Sequence, residues 1–133
     1  MEIKNIDHLV LTVADIDKTI EFYTNIMGLK VVTFGDNRKA LTFGNQKINL
    51  HQKGHEFEPK AASPTCGSAD LCFIAQNDIH EILEELKEKK VNIIEGIVER
   101  TGALGKIQSI YFRDPDQNLI EVSNYTDINF RSV

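Results

Sequence analysis

The chain has 133 residues, 41% of them hydrophobic and 26% charged, with 15 Lys and Arg against 20 Asp and Glu for a formal net charge of −5. That length suits one domain with a core of its own, not a multidomain enzyme, and the apolar fraction excludes a disordered chain. The acidic balance argues against nucleic acid as a partner, and no apolar run approaches the roughly 18–20 residues of a membrane span.

The amino end, Met1 to His8, shows no basic start followed by an apolar run, so no signal peptide is visible. Cys66 and Cys72 have five residues between them and read as reduced thiols, and a cytoplasmic protein is expected.

Asp7 to Val13 alternates polar and apolar residues and predicts a half-buried strand. Asp15 is placed to cap a helix carrying Ile16, Ile20, Tyr23 and Met27 on one face, and Gly28 marks its end. Strands are predicted at Leu29–Phe34, Ala40–Phe43 and Ile48–His51. An irregular connector from Gln52 to Ser68 follows, holding Pro59, Pro64, Gly54 and Gly67. The same order then repeats. Asp70–Ala75 reads as a strand, Asp78 with Glu81 as a helix start, and Ile79, Ile82, Leu83 and Leu86 as an apolar stripe. Strands are predicted at Val91–Ile94, Ser109–Phe112 and Leu119–Ser123.

His8 aligns with Asp70, and Val31 with Ile93, at the same offset of 62. Each half is therefore β-α-β-β-β, an α+β arrangement produced by internal duplication. Module 1 spans about 3–52, the connector about 53–67 and module 2 about 68–125, within a single domain over 1–133.

Alternation also sorts side chains between faces. Leu9, Leu11 and Val13, Ile48 and Leu50, Leu71, Phe73 and Ala75, and Ile120 and Val122 should meet the helices. His8, Asn49, His51, Asp70 and Glu121 then share the opposite face. His8, His51 and Glu121 make a two-His, one-carboxylate set suited to a divalent transition metal, and Asp70 can add a fourth oxygen ligand. The competing reading is a set of ordinary strand residues facing solvent. Matching the two last strands puts Asn49, not His51, opposite Glu121, with His51 about 6–7 Å further along.

Other polar features are less specific. Thr101 to Lys106 bears two Gly without phosphate-loop spacing and reads as a loop near the site. Arg100 can meet an anionic group or remain solvated. His55, Glu56 and Phe57 form either a lid or a plain linker, and Cys72 either a reactive thiol or an inert one. His80, Arg38 and Lys39 read as solvated surface residues.

Ile6-Asp7-His8-Leu9-Val10-Leu11-Thr12-Val13, Phe22-Tyr23 and Met27-Gly28-Leu29 resemble the opening of vicinal oxygen chelate proteins, the glyoxalase/bleomycin-resistance/dioxygenase superfamily. Arg113-Asp114-Pro115-Asp116-Gln117-Asn118-Leu119-Ile120-Glu121 resembles the family's closing motif, which usually has Gly at the place of Gln117. Arg38-Lys39-Ala40-Leu41, Lys47 to His51, Phe57 to Ala61 and Arg100 to Ala103 are similar to a small single-domain subgroup, glyoxalase domain-containing protein 5, whose bacterial members are virulence-associated or lyase-like.

The resemblance implies two βαβββ modules forming a cupped mixed sheet with helices outside, around a divalent ion, often in a homodimer. It assigns ligand positions to His8 and Glu121. Asp70 stands where His is common, and Asn49 where glyoxalase I enzymes carry a ligating Glu, so neither an extradiol dioxygenase nor a true glyoxalase I is matched; His51 can compensate for one of these losses. The expected activity is that of a lyase or isomerase on a small oxygen-bearing substrate, with nickel, zinc, manganese or iron bound and Glu121 or His51 moving a proton. The alternative is a metal-free protein that sequesters a small molecule, as bleomycin-resistance members do. A dioxygenase and a thiol transferase are further variants.

Overall fold

The computed structural model describes residues 1–128. Ten elements follow in the order β1 (His8–Val13), α1 (Ile16–Asn25), β2 (Lys30–Phe34), β3 (Arg38–Phe43), β4 (Gln46–Gln52), β5 (Asp70–Ile74), α2 (Ile79–Glu88), β6 (Glu95–Thr101), β7 (Gly105–Arg113) and β8 (Leu119–Ile128). They form two compact units. The first holds Met1–Ala69 together with Asp114–Gln117, and the second Asp70–Arg113 with the described residues from Asn118 on.

In the first unit the strands lie in the order β1-β4-β3-β2, with β1 parallel to β4 and the other pairs antiparallel. Asp15 caps α1 by accepting from the Lys18 amide at 3.2 Å, and Gly28, at a φ of 71°, turns the chain out of the helix. Leu11, Val13, Leu41, Ile48 and Leu50 are buried together with Tyr23 of α1. Each such side chain contributes about 1.5–3 kcal/mol by leaving water.

The turn Asp114–Gln117 belongs to this unit. Asp114 accepts from the buried Tyr23 hydroxyl at 2.7 Å, and Asp116 accepts from the Ala14 amide at 3.0 Å. Burial and the adjacent Asp114 carboxylate push the Tyr23 hydroxyl far above its ordinary range, so it stays a donor. Gly67, at a φ of 79°, passes so close to the Asp116 carbonyl that a Cβ would stand 2.5 Å from its oxygen.

The second unit repeats the order of elements, with strands β5-β8-β7-β6. Asp78 caps α2 by accepting from the His80 amide at 2.8 Å, and Ile79, Ile82 and Leu86 are buried, as are Ile107, Ile110, Phe112, Ile120 and Val122 of the sheet.

The strand expected at Val91–Ile94 is displaced to Glu95–Thr101. Lys90 takes a φ of 60° and the Val91 amide donates to the Leu86 carbonyl at 3.0 Å, so these residues close the helix instead of opening a strand. Consequently β1 and β5 begin 62 residues apart, whereas β2 and β6 begin 65 apart. The last strand also runs on past Ser123 to Ile128. Among the described residues no helix is long and apolar enough to cross a membrane.

Candidate functional site

In the second unit, register gathers side chains around Glu121. On the shared face of the sheet Glu121 lies opposite Cys72 of β5 and Tyr111 of β7, and Ser123 lies opposite Ser109. The fully buried Ser109 hydroxyl donates to Glu121 Oε2 at 2.5 Å and lies 2.7 Å from Ser123 Oγ. Tyr111 lies opposite Glu121 in register, and its oxygen accepts from Arg100 Nε at 3.2 Å. Burial, and then the Glu121 contact, raise the Tyr111 hydroxyl above its ordinary value against the lowering pull of Arg100. Arg100 thus engages Tyr111, the register neighbour of a carboxylate that Ser109 holds.

This network opens on a pocket of about 440 Å³, lined by Cys72, Ile74, Arg100, Tyr111, Glu121 and Tyr125 with the hairpin residues Thr101, Gly102 and Ala103. That size accommodates a small organic molecule. The hairpin is closed by the Gly102 amide donating to the Gly105 carbonyl at 2.7 Å, and Tyr125 accepts from the Leu104 amide at 3.1 Å. Gly102 leaves room for Tyr125, whose hydroxyl would stand 2.9 Å from an added Cβ. The loop expected near a site thus forms one wall of a pocket. Arg100 is not simply solvated: it pairs with Glu95 at 3.3 Å as well as with Tyr111.

Cys72 is exposed and lies 3.4 Å from Ser123 Oγ. Partial burial of the sulfur and the Glu121 charge push the thiol up, so it is a neutral wall of the pocket and not a ready nucleophile. Asp70 is exposed on the same face, two residues out of register with Glu121, roughly 7 Å along the strand.

In the first unit, β1 pairs with β4 so that His8 lies beside Lys47 and Thr12 beside His51. His8 and His51 are therefore on one face but four residues apart, roughly 13 Å along the strands. His8 is half-exposed, and its Nδ1 lies 2.8 Å from Asp7 Oδ1. His51 and Asn49 are buried at 3% and 6% exposure, on the face expected to be open.

The connector covers His51. Phe57 packs edge-on against the His51 ring at 5.5 Å and lies over the Arg38 guanidinium at 4.3 Å; the same guanidinium lies 5.3 Å from the Phe34 ring. Arg38 Nη2 lies 3.4 Å from His51 Nε2. Arg38 is thus no ordinary surface charge, because Phe34 and the folded-back connector hold it against His51. Burial, and then the Arg38 charge, lower the His51 pKa and favour the neutral imidazole. His80 is exposed beside Asp78, as expected of a surface residue.

Among the described residues no three His, Cys, Asp or Glu side chains are gathered as a metal cluster. The sequence reading missed Ser109 and Tyr111, although alternation along Gly105–Arg113 puts both on the face of Glu121.

Two sheets of βαβββ connectivity, each with a parallel pair at one edge, and a carboxylate on the last strand define a familiar class. The chain belongs to the glyoxalase/bleomycin resistance protein/dioxygenase superfamily, whose profile it matches over residues 5–122. It is 61% identical to virulence protein STM3117 of Salmonella typhimurium over 125 residues, covering 94% of this chain and 87% of that protein. The crystal structure of STM3117 superposes with a TM-score of 0.94, covering 95% of this chain and all of that one. Glyoxalase domain-containing protein RDO1 of Mycosarcoma maydis is 57% identical, covering 96% of this chain and 72% of that protein. The metallothiol transferase FosB of Staphylococcus epidermidis is 30% identical, covering 95% of this chain and 85% of that protein.

Proposed function

We propose that this chain is a divalent-metal-dependent enzyme of the lyase or isomerase type acting on a small oxygen-bearing substrate. The observation that carries the reading is Glu121, a carboxylate held by Ser109 and flanked by Tyr111 at the wall of a pocket of about 440 Å³. The metallothiol transferase name of the FosB relative supports metal use and keeps thiol transfer as the nearest variant.

The proposed ligands are His8, Glu121 and Asp70. Their donor chemistry, imidazole with carboxylates, fits nickel, zinc, manganese or iron. The contact of His8 Nδ1 with Asp7 also fits, since a carboxylate on the far nitrogen orients an imidazole for ligation. Such an ion would polarise neighbouring oxygens of the substrate.

The remaining roles fall to the chain's own side chains. Arg100, on the pocket wall, attracts an anionic substrate group. Ile74, Ile107 and Ala103 exclude water from one side of the pocket. Glu121 takes the proton from the carbon next to the substrate carbonyl, and Tyr111, a donor at neutral pH, stabilises the developing negative oxygen. His51 is not a ligand in this proposal, because its register separates it from His8; its neutral imidazole can take up or return a proton.

Elemental analysis of protein purified without chelator tests the reading. Stoichiometric metal that is lost in His8→Ala and Glu121→Ala is the expected result, and a metal-free native sample refutes it. We also propose a homodimer; exposed Val10, Val31, Val32 and Ile74 supply apolar surface for one, and light scattering checks it.

The metal-free binding protein is the second reading. It is favoured by the absence of three gathered donor side chains among the described residues. Ligand capture that survives chelation would mark it.

A further inference from the structure

Buried polar atoms are nearly always hydrogen-bonded in folded proteins, so the exceptions carry information. Among the described residues three buried side-chain atoms have no partner: Arg38 Nε, Asn49 Oδ1 and Glu56 Oε2. All three belong to residues around His51. Arg38 lies 3.4 Å from its ring, Asn49 is two residues away on the same face of β4, and the Glu56 carboxylate acts electrostatically on the imidazole. Asn49 is buried, at 6% exposure.

The three unpartnered atoms differ in character. Arg38 offers a charged donor, and its guanidinium forms none of the ion pairs found among the described residues. Asn49 and Glu56 offer acceptors, one neutral and one charged. A simple anion would satisfy Arg38 but be opposed by Glu56. A simple cation would satisfy Glu56 and Asn49 but meet Arg38. One group that presents an anionic acceptor next to a cationic donor answers all three.

We propose that this region of the first unit binds the zwitterionic end of a small molecule, an α-amino carboxylate, with its carboxylate on Arg38 and its ammonium shared by Asn49 and Glu56. The guanidinium is prepared for this by its two aromatic contacts, Phe34 at 5.3 Å and Phe57 at 4.3 Å, which hold the cation in one orientation before a ligand arrives. Phe57 is itself 37% exposed, so the connector forms the outer wall of the subsite. The subsite requires no metal and does not depend on the role proposed for Glu121.

The test is an NMR titration of the ligand-free protein with the common α-amino acids one at a time, and with acetate and ethylamine separately. At least one amino acid should bind saturably, shift the signals of residues 38, 49, 51 and 56, and do so about tenfold or more tightly than either single-charge probe. Arg38→Lys keeps the charge but loses the Nε donor, and Asn49→Leu removes the unpartnered acceptor. Each should weaken binding about tenfold or more. Asn49→Leu should also leave the ligand-free Tm unchanged or raise it by about 4 °C, because it relieves an unmade hydrogen bond; this shows that lost binding is not lost folding. The proposal is overturned if no amino acid binds at these residues, if acetate alone binds as tightly, or if both variants bind like the parent. Because the titration contains no metal, its failure is distinct from failure of the metal reading.

Discussion

Replacing Ser109 by Ala removes the donor that holds Glu121 Oε2 at 2.5 Å and takes from Ser123 its 2.7 Å neighbour. A hydrogen bond to a charged group contributes about 1.5–3 kcal/mol. Glu121 borders an open pocket, so water can replace part of that contact and lowers the cost. Ser123 is fully buried and keeps Cys72 at 3.4 Å and Glu121 Oε2 at 3.5 Å, contacts longer than the one it loses, which raises it again. The net expectation for Ser109→Ala is a loss of about 1–3 kcal/mol in urea unfolding, with a Tm lower by about 3–8 °C. Glu121→Gln alone and the double variant complete a cycle, and the coupling between the two sites should reach about 1 kcal/mol or more. In the same variant, affinity for the divalent ion proposed above, measured by competition with a chromophoric chelator, should fall about 10–100-fold, the usual loss when a ligand's supporting hydrogen bond is removed. Ser109→Ala protein unfolding within about 0.5 kcal/mol of the parent, with no coupling to Glu121, would refute the assignment of Ser109 as the support of this carboxylate.

Tyr23→Phe deletes the buried hydroxyl that donates to Asp114 at 2.7 Å and should cost about 1.5–3 kcal/mol by denaturant unfolding; a neutral result would mean that the pair contributes nothing net. His51 has a pKa below its ordinary 6.5, so the unfolded chain binds the extra proton first as pH falls. Its contribution to stability is complete above about pH 6.5 and declines as pH drops below that toward the folded value, which urea unfolding across pH measures. Phe57→Ala should move the NMR-titrated His51 pKa upward, because burial is the largest cause of its depression; an unmoved value would show that the connector does not bury the ring.

The parts of the fold that follow from local pattern were legible in the sequence. Asp15 and Asp78 announce helix starts because a short carboxylate satisfies an amide left free by helix geometry. Leu11, Val13, Ile48 and Leu50 declare a buried face because strand side chains alternate. Val91–Ile94 misled because an apolar run identifies a buried segment, not a paired one, and Lys90 in a left-handed conformation carries no mark in composition. The polar face was legible as a face, including Glu121, but its contents were not. Whether Arg38 points to water or is clamped over His51 depends on where Phe57 comes to rest, five residues beyond the end of β4, and no periodicity encodes that. Ser109 and Tyr111 were within reach of the same alternation argument applied to one more strand.

The turn Asp114–Gln117 has a consequence for how this protein can be divided. It is covalently continuous with β7 and β8, yet it packs as part of the first unit, accepting from Tyr23 and from the Ala14 amide. A polypeptide ending at Ala69 would therefore contain every strand of its own sheet and still lack the acceptors of its buried Tyr23 hydroxyl and its exposed Ala14 amide. Halves expressed separately should associate through this loan of four residues, and a gene cut between the two repeats would have to carry the turn twice to make the first half self-sufficient.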